Sequence, residues 1–246
     1  MAHEQLSIRT ADGDCPTQVL TPDGEGPWPA VIVYMDGLGI RPAIVDVARR
    51  LAKNRYLALL PDLFYRSGEY EIPSPKEAFA SGNLKKIVGP LMAATGCSKA
   101  ADDTRYLLEY LDTRSDVKGT GVGTVGFCMG GGMALTAAGT WPERVAAAAS
   151  YHGGGIASDA PNSPHLLAPK MKAEVYVAGA DKDELYPLEM AERMKKALTN
   201  AGVRHCCEIY EGALHGWMKP DFPIYNEKAA ERGWREIIAL LDRNLR

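Results

Sequence analysis

The stretch TVGFCMGGGMA, residues 124–134, sets one cysteine between an apolar run and a glycine-rich, helix-forming tail. Val122 to Phe127 reads as a strand and Met129 onward as a helix, so Cys128 falls on the turn between them. Gly126 and Gly130 stand two residues to either side. That spacing is a G-x-nucleophile-x-G elbow with cysteine in the nucleophile's place. The turn is too tight for flanking side chains, so glycine is expected there to supply room and the permitted φ values. Cys128 then projects from the strand's C-terminal end at a helix N-terminus, where backbone N–H groups and the helix dipole favour a thiolate. The N–H of Met129 faces any oxyanion that forms.

Outward from the elbow, short apolar runs alternate with helical patterns. AVIVYM (30–35) leads into AIVDVARRLAKN, and YLALLPDL follows. Later come RVAAAASY, AEVYVAG and RHCCEIYE, each running into a loop or helix. Runs of four to eight β-prone residues separated by helices predict a mostly parallel sheet covered on both faces, an α/β fold. QLSIRT and CPTQVLTP, joined at ADGD, predict a short antiparallel N-terminal pair. Residues 64–86, with prolines, glycines and aromatics and no clear period, read as a loop over the sheet edge and a candidate substrate lid. No repeat, linker or low-complexity segment divides the chain, so residues 1–246 are expected to form one domain.

A net charge of -3 supplies no field for nucleic acid or an anionic membrane, leaving small molecules as the expected partners. No window approaches the apolar length of a membrane span, and MAHEQLSIRT lacks a signal-peptide core. Five cysteines without regular spacing fit a reducing compartment, so a soluble, cytoplasmic protein with free thiols is expected.

An elbow nucleophile needs an acid and then a histidine later in the chain, each on a loop after its own strand. Both are present. AEVYVAGADKDELYP runs from a strand into an acidic loop bearing Asp181, Asp183 and Glu184, and CCEIYEGALHGW runs into a loop bearing His215. The histidine takes the thiol proton, and the carboxylate fixes its tautomer and orientation. Two other motifs fail on context. GVGTVG (121–126) fits G-x-G-x-x-G but lies before and within a strand, not between strand and helix, which argues against a dinucleotide site. YHGGG imitates a lipase oxyanion motif but follows the elbow, so His152 reads as a loop histidine near the site. HCC (205–207) lacks metal-ligand spacing.

With YMDGLG, PDLFYR, GFCMGG, ASYHG, DELYP and LHGW in order over nearly the whole chain, the sequence resembles the dienelactone hydrolases, a cysteine branch of the α/β-hydrolases. The resemblance implies an α/β-hydrolase fold and a triad of Cys128, His215 and Asp183, the aspartate four residues before Pro187. It implies hydrolysis of an activated ester or lactone through a thiol acyl-enzyme, with no metal or organic cofactor. Asp36 stands where the family has a glutamate that engages the resting cysteine, and Gly37 supplies the second oxyanion N–H beside Met129. Family arginines grip the substrate carboxylate. Lys219, four residues after His215, stands for one without the planar fork, and the candidates for the other are Arg66, Lys76, Lys85 and Lys86. Tyr65, His152 and Trp217 are expected near the substrate. The alternatives are a general carboxylesterase or thioesterase on the same triad, and a non-catalytic scaffold that binds a small ligand.

Overall fold

The apolar runs become strands because a parallel strand buried on both faces needs apolar side chains at every position. The computed structural model describes residues 1–246. β3 (Trp28–Tyr34) is buried at all seven positions and β4 (Leu57–Pro61) at all five. β5 (Val117–Phe127), β6 (Val145–Tyr151), β7 (Glu174–Ala180) and β8 (His205–Tyr210) complete a parallel set. β1 (Ala2–Arg9) and β2 (Asp14–Thr21) form the antiparallel pair, and β2 joins β4. The eight-stranded order is β1-β2-β4-β3-β5-β6-β7-β8. This is the mixed sheet of an α/β-hydrolase.

Helices cover both faces. α1 (Pro42–Lys53) and α6 (Glu227–Leu245) pack on one, tied together by the Arg50–Glu231 ion pair. α4 (Met129–Thr140), flanked by α3 (Leu84–Asp112), packs on the other, and α5 (Leu188–Asn200) lies beyond α4 toward β8. Amphipathic periodicity explains α1, whose Ile44, Val47, Ala48 and Leu51 are buried.

Residues 64–86 are not the irregular loop that the sequence suggested. They form a 3-10 turn at Tyr65–Ser67, α2 (Pro75–Ala80) and the start of α3. α2 is set by a capping box in which Ser74 Oγ accepts from the Glu77 N–H and Glu77 accepts from the Ser74 N–H. α3 kinks at Gly96, which takes φ 62° and ψ 165°. Leu38, Ala78, Val88 and Phe222 make a small core of their own, separate from the 63-residue main core. It ties α2 and α3 to the loops after β3 and β8, over the carboxyl ends of the central strands.

Candidate active site

The elbow owes its shape to contacts that exclude a Cβ. On Gly126 a Cβ would lie 1.8 Å from the Gly130 carbonyl oxygen, and on Gly130 it would lie 2.2 Å from that of Tyr34. These glycines let α4 start directly on β5 and against β3. They do not supply the unusual φ. The positive value belongs to Cys128 itself, at φ 52° and ψ -115°, so the strain sits at the cysteine. The N–H groups of Met129 and Gly37 donate to no other protein group. The first N–H groups of a helix have no intrahelical partner, which leaves Met129 free to donate to a ligand.

His215 and Asp183 reach the cysteine from the loops after β8 and β7. Asp183 Oδ2 lies 2.7 Å from His215 Nδ1, and His215 Nε2 lies 3.1 Å from Cys128 Sγ. The other oxygen of Asp183 accepts from the Leu185 N–H at 2.9 Å, and its side chain is fully buried. Asp181, the neighbouring candidate, accepts from Gly212 N–H instead. Burial opposes a charge on His215, but its bonds to Asp183 and Cys128 outweigh that and push its pKa up to about 10. The arrangement favours an imidazolium beside sulfur.

Asp36 is buried but does not meet the cysteine. Arg41 grips both its oxygens, at 2.7 and 2.9 Å, and Leu38 N–H donates to it at 2.9 Å. Arg41 also pairs with Asp221 at 2.6 Å. Burial works against the guanidinium charge, but the two carboxylates win and raise its pKa. Arg41 was missed by sequence reasoning, which sought a carboxylate-binding arginine only in residues 64–86. Its pairing partner Asp221 lies 180 residues away. A cleft of about 1060 Å3 opens beside this cluster, walled in part by Leu38, Arg41, Tyr70, Ile72 and Asp221. Cys128 and His215 do not line it.

Five of the residues expected to hold substrate are not open to it. Arg66 forms a fork on Asp103, at 2.7 and 2.8 Å, and a further pair with Asp12. Tyr65 OH bonds to Thr10 and Asp103. Both belong to a network at the N-terminal hairpin, on the far side of β4 from the elbow. Trp217, His152 and Lys219 are fully buried. Lys219 Nζ has no hydrogen-bond partner and lies 3.2 Å from the Phe127 ring centroid. Burial, reinforced by Arg41, lowers its pKa to about 7 against the pull of Asp36 and Asp221. His152 and Trp217 stack edgewise, with ring centroids 5.0 Å apart, behind the His215 ring.

Comparison with known proteins agrees with this architecture. Residues 15–245 match the model of the "Dienelactone hydrolase family". A Synechocystis sp. protein named "Putative carboxymethylenebutenolidase" is 30% identical over 230 residues, covering 92% of this chain and 90% of that one. A Bradyrhizobium sp. protein named "Probable 2-oxo-3-(5-oxofuran-2-ylidene)propanoate lactonase" is 29% identical over 220 residues, 88% of this chain and 84% of its own. Among solved structures, that titled a putative dienelactone hydrolase, from Klebsiella pneumoniae, superposes with a TM-score of 0.85 at 25% identity, covering 98% of both chains.

Proposed function

The chain belongs to the dienelactone hydrolase family, whose members hydrolyse esters and lactones, and on that premise we propose that it acts through a Cys128–His215–Asp183 triad on an activated ester or lactone. The observation that carries the reading is the unbroken line of contacts from Asp183 to His215 to Cys128, drawn from three separate loops at one end of the sheet.

The Cys128 thiolate attacks the acyl carbon, with its proton held on His215. Met129 and Gly37 N–H groups receive the oxyanion. The tetrahedral adduct collapses, the C–O bond to the ring oxygen breaks, and the leaving oxygen takes the proton from His215, which leaves the imidazole neutral for the next step. Water then attacks the thioester carbonyl while His215 accepts its proton, and the acid is released from regenerated Cys128. A thiolate leaves a tetrahedral adduct more readily than an alkoxide does. Turnover therefore favours stabilised leaving groups over plain alkyl esters.

A second reading, a general carboxylesterase on the same triad, is favoured by one observation. Two of the cations considered for a substrate carboxylate are engaged or buried: Arg66 on Asp103 and Lys219 under Phe127. Steady-state hydrolysis of a dienelactone and of a nitrophenyl ester by the wild type, Cys128→Ala and Asp183→Asn separates these readings. Loss of dienelactone hydrolysis in both variants supports the triad and the lactone substrate. Activity on the nitrophenyl ester alone supports the esterase, and wild-type rates in Cys128→Ala reject both.

A further inference from the structure

His152 is a buried histidine beside the site that the mechanism above leaves unused. It follows β6 at φ 41°, a left-handed conformation uncommon outside glycine, which asparagine, aspartate and histidine adopt more often than other side chains do. Its own N–H donates to the Ala178 carbonyl of β7 at 2.8 Å, which fixes that turn. The conformation folds the ring back under the nucleophile. Cys128 N–H donates to the Tyr151 carbonyl at 3.0 Å and also to His152 Nδ1 at 3.1 Å. The ring stands edge-on to His215, centroids 5.2 Å apart and planes at 64°, with Trp217 behind it.

We propose that His152 is a positioning residue that accepts the nucleophile's own backbone N–H and walls in the His215 ring, holding sulfur and imidazole in register. This rests on the reading of Cys128 as nucleophile. Because Nδ1 accepts, its lone pair faces Cys128 and the ring's single proton sits on Nε2, which meets no protein partner. Protonating Nδ1 would turn an acceptor into a donor pointed at another donor. His152 therefore stays uncharged while His215 carries the imidazolium 5.2 Å away, and the two rings do not compete for one proton. Burial, His215 and Lys219 act the same way, holding His152 well below the ordinary histidine range. The other titratable groups around the pair are Asp183 from the loop after β7 and, beyond Lys219, the Asp36–Arg41–Asp221 cluster.

Two substitutions separate the acceptor from the backbone conformation. Asparagine tolerates a positive φ and offers Oδ1 where Nδ1 now lies, whereas glycine suits the backbone and offers nothing. The readouts are the pH profile of Cys128 alkylation by iodoacetamide, followed by peptide mass, and kcat and KM on a nitrophenyl ester. His152→Gly is expected to lower kcat about tenfold, the effect of one neutral hydrogen bond, with KM within about twofold. Its alkylation profile should move up by about one pH unit. His152→Asn is expected to recover most of both. The shift is read as the difference between the two variants, since Lys219, near 7, titrates in both. Glycine and asparagine profiles that match each other, in proteins with wild-type melting curves, overturn the proposal. If His152→Gly does not fold, the asparagine profile decides: a shift of a full unit there overturns it. Cys128→Ala run alongside keeps the premise separate, because wild-type turnover in that variant rejects the nucleophile whatever His152 does.

Discussion

Gly130→Ala tests whether the elbow's steric logic governs the site. In an ordinary helix this change stabilises by roughly 0.5–1 kcal/mol, because alanine loses less backbone entropy than glycine. Here the new Cβ would lie 2.2 Å from Tyr34 O and 2.6 Å from Met35 O, where real Cβ contacts stay above 3.0 Å. Both obstacles are backbone atoms of β3 and its following loop, so no rotamer change relieves them. The N-terminus of α4 has to move off β3 by about 0.8 Å, the gap between 2.2 and 3.0 Å. Overpacking of this kind costs about 1–3 kcal/mol, which outweighs the helix gain. Set against that gain, a net loss of about 1–2 kcal/mol lowers the melting temperature of a chain of this size by roughly 2–8 °C. Cys128 and Met129 ride on the same helix end, and a misplacement near 1 Å costs about 100-fold in rate. Thermal unfolding and kcat/KM on a nitrophenyl ester measure both effects. A variant melting within 1 °C of the wild type, with rate within about twofold, would refute the argument.

Two further substitutions test the reassigned charges. Lys219 has its folded pKa depressed to about 7, so below that pH the protein bears the full cost of burying its charge, and the cost fades as pH rises through the unfolded value of 10.5. Lys219→Met should therefore melt above the wild type at pH 6 to 7, with the difference closing near pH 10.5. A difference that does not change with pH contradicts this. Arg66→Met leaves buried Asp103 without its cation and with only the Tyr65 hydroxyl as partner, which should cost about 3 kcal/mol in urea unfolding. The kcat/KM of the folded protein should stay within about threefold, and a selective rise in KM would return Arg66 to the substrate site.

The strands were legible because doubly buried parallel strands are written as unbroken apolar runs such as AVIVYM and RVAAAASY. Cys128, Asp183 and His215 stood out for a related reason: each ends such a run, in the order an elbow fold requires. Residues 64–86 misled because α2 is only six residues long and only the first three residues of α3 fall among them, too few to show a period. The capping box at Ser74 and Glu77 was the available signal. The charges were hardest to read. Arg41 and Asp221 lie far apart in sequence, and nothing local says that Arg66 spends its fork on Asp103. A histidine at φ 41° is equally invisible, since the strain comes from where β6 ends and not from the residue type.

The central claim is that Cys128 forms a covalent acyl-enzyme. Rapid quench of the wild type with a nitrophenyl ester, followed by intact and peptide mass spectrometry, tests it most directly. The account predicts one acyl group, carried by the peptide containing Cys128, formed within the first turnover and absent from Cys128→Ala. Product release by the wild type with no adduct on that peptide, and undiminished turnover in Cys128→Ala, would contradict it.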